Sequence, residues 1–386
     1  MRALRIPLLV LPLAVPLSAQ DGLVLIRNVH VIDGTGAAPR AAQEVLVRNG
    51  RIERVGERHG GEPPRGARLV DGGGGWLIPG LIDMHAHVVL GPVHGMASGK
   101  PRLELDTSMV AWSLRALLAF GVTTIRDPGT ASARLAVAVR DSVAGGRLLG
   151  PRIRTAGEVI DGSDFPGLVA RARTPDEVRA EVRRQVGIGV DYLKLYASLD
   201  PAAIRAGVDE AHAHGKKAIG HLFATTWTEA ALAGIDGIVH SVPSSPALLP
   251  PAGRAGFLRN IARNGRFMLQ WFEYYDPGSA EADSMIRALV EHRVVHDPTL
   301  VVFEAIAWGD SARINASPDL AFAPPRLLDS WRSGFLLSLG FRPADYDSSR
   351  MVWPATLKFV KQLHDRGVLL TAGTDANNPW VAPGPS

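Results

Sequence analysis

The stretch Leu81-Ile82-Asp83-Met84-His85-Ala86-His87 reads as a mainly apolar strand that ends in two histidines one residue apart. Alternate residues of a strand share a face, so both imidazoles can converge on one ion at about 2.0–2.1 Å, the distance at which histidine nitrogen binds zinc. His212 and His214 repeat the spacing in a helical stretch. There, residues two apart subtend about 200° and cannot chelate together, so this pair is not read as a ligand pair. Lys194 stands between Leu193 and Leu195, and alternation puts it on one face with Tyr192 and Tyr196. The basic residues are nearly all arginine, the lysines being Lys100, Lys194, Lys216, Lys217, Lys358 and Lys361, so a lysine at a buried position stands out. If the leucines meet outer helices, Lys194 points inward, where an ammonium needs a partner or a covalent modification. The alternative is a lysine whose head reaches solvent or pairs with a carboxylate. His221 and His240 each end a short apolar stretch, and Asp375 ends Thr371-Ala372-Gly373-Thr374-Asp375. One such histidine alone reads as a core residue; two on successive strands, in a chain with His-x-His, read as metal ligands.

Such residues need a scaffold that brings strand ends together. Residues 175–186 read as a helix, with Thr174 as N-cap, Pro175 at the first position and Glu177 completing a capping box. A strand at 192–196 follows. Asp200-Pro201 opens a second helix that Gly215 closes, ahead of a strand at 217–221. Thr226 with Glu229 caps a third helix, Gly234 ends it, and 237–240 form a third strand. Strands alternating with helices predict a parallel sheet, and in an α/β barrel the strand ends share one mouth where catalytic groups gather. Arg126 and Asp127 end another strand and are read as a structural ion pair. Residues 293–302 and 368–375 are read as strands, and His94, His292 and His296 as loop or surface residues. The aromatic run 267–275 suits a pocket wall, the core or an interface. Ahead of all this, residues 23–55 read as short strands, with a turn at Asp33-Gly34-Thr35-Gly36 and a tight hairpin at Asn49-Gly50. Residues 56–75, rich in Gly, Pro and charge, read as a loop with a domain boundary near its end.

The chain has 386 residues, 46% of them hydrophobic and none of them cysteine, which excludes a disordered chain and a disulfide scaffold. Its length fits one barrel of roughly 250 residues plus a small appendage. Arg2 and Arg5 precede an apolar run at 6–17 and then Ser18-Ala19-Gln20, the pattern of a secretory leader cut after Ala19. A membrane anchor is the alternative, but the run is shorter than the roughly 20 residues of a spanning helix. Loss of Arg2 and Arg5 lowers the formal charge from +4 to +2, which gives nucleic-acid binding no support. The expectation is a soluble periplasmic or secreted protein without membrane association after cleavage.

In the order His-x-His, Lys, His, His, Asp on strand ends, the chain resembles the amidohydrolase superfamily of metal-dependent hydrolases, most closely its imidazolonepropionase-like and prolidase-like branch. Residues 80–87, 121–127 and 373–376 carry the likeness, with Val31-Ile32-Asp33-Gly34-Thr35-Gly36 and residues 47–56. The resemblance implies a (β/α)8 TIM-type barrel at 76–386 with a small β-sandwich begun by 20–75, after a signal peptide at 1–19. It implies two divalent ions, usually zinc. His85, His87 and Asp375 would hold one, His221 and His240 the other, with a CO2-derived carbamate on Lys194 bridging them. A hydroxide between the ions would attack the substrate, with Asp375 passing its proton to the leaving amine. Tyr196 becomes a candidate substrate contact.

The implied substrate is a small molecule with an amide bond, a dipeptide or N-acyl amino acid. The same centre would serve a cyclic-amide hydrolase or a lactonase-like esterase, whereas a mononuclear deaminase would not need Lys194. Members of the superfamily continue past the last Asp with a barrel helix and further sandwich strands. The expectation is therefore a C-terminally truncated chain with its ligand set complete, and a non-catalytic remnant is the alternative from another class. A homo-oligomer is compatible with the sequence.

Overall fold

A computed structural model describes residues 22–57, 62–95, 100–333 and 340–386, and the chain divides into two units between Pro79 and Gly80. The expected leader at 1–19 lies outside the described residues.

In the first unit the strands Leu23–Val31, Arg40–Arg48, Arg51–Glu57 and Arg68–Leu77 form one sheet in the order third, second, first, fourth. Asn49 and Gly50 both take left-handed backbone, φ 51° and 72°, which is the turn their types predict for the hairpin. The span 56–75, expected to be a loop, instead holds the start of the fourth strand, paired in parallel with the first. Its run Gly72-Gly73-Gly74-Gly75 hid it, since glycine normally argues against a strand. The close approach of the neighbouring strand supplies the reason: a Cβ on Gly72 would lie 2.2 Å from Val29 Cγ1. Among the described residues this unit forms a single four-stranded sheet. Its small core is Val29, Val31 and Val45.

The second unit is an α/β array of parallel strands. Leu81–Asp83, Val122–Asp127 and Arg152–Thr155 pair in sequence, and Tyr192–Leu195, Lys217–Gly220, Gly237–Val239 and Val295–Asp297 pair in sequence. Backbone bonds join the two sets, from Asp191 N to Thr155 O at 2.8 Å on one side and from Thr371 N to His296 O at 2.9 Å on the other. Met84 N to Ala372 O at 2.8 Å then closes the cycle that an α/β barrel requires. Residues 368–375, predicted as a strand, form no regular strand but bridge to the barrel at Leu370, with a second isolated bridge just beyond at Ala376. Of 293–302, Val295–Asp297 is strand and Leu300–Ala307 is already helix.

The three central βα units form where their caps predict. Thr174 and Glu177 make both capping-box bonds ahead of helix Pro175–Ile188, and Thr226 and Glu229 do so ahead of Trp227–Leu232. Asp200 caps Pro201–Ala213. Strand Tyr192–Leu195 sorts its side chains by alternate residues. Leu193 and Leu195 pack outward in a core with Val178, Val182, Ile204 and Val208 of the flanking helices, while Tyr192 packs inward with Ala156, Ile219 and Val239. Each buried leucine contributes roughly 1.5–3 kcal/mol, which fixes this register and turns Lys194 into the barrel.

Candidate metal centre

Seven side chains named from the sequence line one cavity of about 130 Å³: His85, His87, Lys194, Tyr196, His221, His240 and Asp375. His85, His87 and Asp375 each offer a ligand atom, all within 4.8 Å of one another. Asp375 Oδ1 lies 3.2 Å from His87 Nε2 and 3.5 Å from His85 Nε2. The imidazoles run on in series, with ring centroids 4.7 Å apart for His85 and His240 and 4.4 Å for His240 and His221. His212 and His214, by contrast, are exposed and bonded to Asp236 and Glu210 at 2.9 and 3.2 Å.

Local backbone explains the convergence. His240 and Asp375 sit in left-handed conformation, φ 70° and 64°, which turns each side chain at the point where its strand gives way to loop. Strain in non-glycine residues persists where surrounding bonds over-determine it, and here they do. His240 N donates to Asp297 O at 2.7 Å, and Asp375 N donates to His85 O at 2.7 Å. Asp83 ties the first strand to the segment bearing Asp375, accepting from the amides of His85 at 2.9 Å and Thr374 at 3.0 Å. Gly373 is required beside them, because a Cβ there would fall 2.5 Å from Asp297 Oδ2 and 2.6 Å from His85 Cβ.

The protonation pattern suits metal binding. His87 Nδ1 donates to Gly129 O at 2.7 Å, which leaves Nε2 with its lone pair toward the cavity. Burial, and then the charge of Lys194, push the His85 imidazole well below its ordinary range. Burial pushes His221 down to about 3 and His240 well below its range, so these rings are neutral at physiological pH. For His87 burial acts downward, but the hydrogen bond and charge of Asp375 outweigh it and raise the pKa. Burial brings the Lys194 ammonium down to about 7, against the opposing pull of Asp375. No carboxylate lies within ion-pair distance of Lys194 among the described residues. Both ring nitrogens of His85 and of His221 are buried with no hydrogen-bond partner. Each of these two rings has a buried nitrogen whose desolvation penalty a ligated ion would remove, so the residues fit a metal centre.

Asp297, Asn378 and Thr299 were not singled out in the sequence, and Arg126, Asp127 and His296 were read there in other roles. Asp297 lies 3.7 Å from His85 Nδ1 and 3.1 Å from Arg126, and burial pushes its carboxyl up to about 7. Arg126 thus pairs with Asp297 and not with its chain neighbour, since successive residues of a strand face opposite ways. Asp127 sits 3.9 Å from His87 Nδ1. Asn378 donates to Asp375 Oδ1 at 2.7 Å, and Thr299 Oγ1 lies 2.7 Å from His240 Nδ1. A polar residue at the end of a strand was the available signal for Asp297; Asn378 and Thr299 sit in loops without one. His296, expected at the surface, is buried, with Nδ1 donating to Ile238 O at 3.1 Å and Nε2 2.9 Å from Ser241 Oγ. The strand Val295–Asp297 is too short for alternation to reveal that inward face. His94 is half-buried against Glu104 at 3.0 Å, and His292 is exposed after helix Ala280–Glu291. In the aromatic run, Met268 joins the cavity wall while Trp271 and Phe272 enter the core.

The amidohydrolase family profile matches residues 76–381. An uncharacterized protein of Mycobacterium tuberculosis is 30% identical over 223 residues, 54% of each chain. An imidazolonepropionase of Aromatoleum aromaticum is 46% identical over 70 residues, 17% of each chain. The chain spans about half the length of the first of these curated relatives, 54%. Among solved structures, a Xaa-Pro dipeptidase with methionine bound in its active site superposes with a TM-score of 0.63 at 20% identity, covering 94% of this chain and 81% of the other. The bottromycin amidohydrolase does so with a TM-score of 0.64 at 23% identity, covering 95% and 72%. Both likenesses are likenesses of fold.

Proposed function

We propose, from the premise that the chain belongs to the amidohydrolase family, that it is a binuclear metal-dependent hydrolase that cleaves an amide bond in a small molecule. The observation that carries the reading is the convergence of His85, His87, His221, His240, Lys194 and Asp375 on one cavity, with imidazole nitrogens that nothing else satisfies. His85, His87 and Asp375 would hold one ion and His221 and His240 the other. Lys194 would bridge them after its neutral amine adds to CO2 and loses a proton, which exchanges a poorly solvated cation for an anionic oxygen donor. Zinc suits this set of nitrogen and carboxylate donors. Two such ions would polarise the scissile carbonyl and make water nucleophilic near neutral pH.

The chain's own residues supply the rest. Asp375, oriented by Asn378, takes a proton from the attacking water and returns it to the leaving nitrogen. His87 is fixed in one tautomer by Gly129 O, and His240 is oriented by Thr299. Tyr196, kept neutral because burial raises its pKa, offers a hydroxyl to a substrate oxygen. The apolar run after Arg2 and Arg5 supports export to the periplasm or outside, with the reaction taking place there. Among the described residues no helix is long and apolar enough to cross a membrane.

A panel of dipeptides, N-acyl amino acids, cyclic amides and lactones, assayed on zinc-loaded protein, tests the reading. Turnover of linear amides that a chelator abolishes is the expected result. Turnover of lactones alone would move the assignment to an esterase, and inertness of the metal-loaded, folded protein toward all of them would remove it.

A further inference from the structure

We infer that the cavity beside the candidate ligands selects an uncharged apolar acyl group, an aliphatic chain or an aromatic ring, on the carbonyl side of the scissile amide. The inference rests on the hydrolase reading and narrows it. Away from the candidate ligands the cavity is walled by Leu90, Val159, Leu168, Met268, Val302, Phe303 and Ile306. Three of these seven come from one helix, Leu300–Ala307, which follows strand Val295–Asp297. Ile306 lies three residues after Phe303 and four after Val302, so the three share one helix face. They are 1–3% exposed: Val302 1%, Phe303 3% and Ile306 3%. Thr299, at φ 45°, turns the chain from strand to helix, and its hydroxyl bonds His240. The same turn therefore sets the apolar wall and a ligand histidine.

Charge points the same way. Among the described residues lining the cavity, Lys194 is the only lysine or arginine, and it stands within the candidate metal centre. Arg126 does not line the cavity and is engaged by Asp297 at 3.1 Å and Met84 O at 2.7 Å. A carboxylate on the acyl group would lose its hydration against aliphatic and aromatic carbon with no guanidinium to receive it. The Asn378 amide is spent on Asp375. Tyr196 remains as a neutral donor, suited to a neutral oxygen. The whole cavity, the candidate metal centre included, is about 130 Å³, so the group it admits is small.

The test uses zinc-loaded protein with the p-nitroanilides of hexanoate, benzoate and succinate, alongside calorimetric binding of hexanamide, benzamide and succinamate. The hexanoyl and benzoyl substrates should exceed the succinyl one in kcat/KM by at least about 10-fold, on the scale at which pockets discriminate. The amides should bind in the same order. Phe303→Leu, a mild change of shape, should shift preference between benzoyl and hexanoyl while keeping the bias against charge. Succinyl and hexanoyl compounds cleaved or bound equally would overturn the inference and leave the hydrolase reading intact. Selective binding of the apolar amides with no cleavage of any anilide would support the cavity's selectivity and count against amide hydrolysis.

Discussion

At the end of the barrel where the strands begin, Asp191 accepts from Arg140 at 3.0 Å, Arg154 at 3.1 Å and the Thr155 amide at 2.9 Å, and Asp236 accepts from His212 at 2.9 Å and the Ala218 amide at 2.8 Å. At the end where the strands finish, the ring nitrogens of His85 and His221 are buried without a hydrogen-bond partner, and His240 and Asp375 hold left-handed backbone. One end has satisfied its charges; the other keeps buried imidazole nitrogens without a hydrogen-bond partner. Buried polar groups are normally paired, so the satisfied end reads as architecture and the unsatisfied end as chemistry. The spacing of two histidines alone does not make this distinction. His212 and His214 share the spacing of His85 and His87 but belong to the paired end.

The sharpest way to break the contrast is to remove a group from each end. Asp375→Asn should lower kcat by about 10²–10⁴-fold, the range for loss of a general acid–base, while circular dichroism shows the fold retained. A variant that keeps its rate would take Asp375 out of the proton path. His296 sharpens the comparison from inside the barrel, because it is as buried as the candidate ligands yet has partners for both nitrogens. Burial pushes its pKa down to about 4, below the 6.5 of an unfolded histidine. As pH falls below 6.5 the unfolded chain takes up the proton first, so the folded state loses stability progressively until about pH 4. In metal-free protein, His296→Gln should lessen that acid loss by roughly 3 kcal/mol, measured by denaturant titration across this range. An unchanged pH slope would show that His296 does not contribute.

At the paired end, Asp191→Ala should cost about 1–3 kcal/mol in unfolding free energy, by loss of the acceptor for two arginines and a backbone amide. Its turnover per folded molecule should match the parent; a large rate defect would blur the division between the ends. The smallest effect belongs to His214→Ala, which removes one exposed contact to Glu210 and should change stability by no more than about 0.5 kcal/mol with metal content unchanged.

Most of the cavity's donor set was legible because it is written in alternation and caps. The leucines beside Lys194 announce its inward face, and Thr174, Asp200 and Thr226 mark where helices begin, so the strand ends between them could be located. Glycine misled at 72–75, where the neighbouring strand runs too close to Gly72 for a side chain and Gly73 and Gly74 hold positive φ. Asp297 and His296 were missed because a strand of three residues, Val295–Asp297, carries too little periodicity to show which way it faces. The pairing of Arg126 with Asp297 joins residues 171 positions apart, which no local pattern encodes.

The most direct test of the central claim is the metal content of folded protein purified in the presence of bicarbonate, for the natural sequence and for Lys194→Ala. The account predicts close to two divalent ions per chain, falling sharply in the variant. A natural chain that is folded yet takes up no zinc, nickel, cobalt or manganese would contradict it.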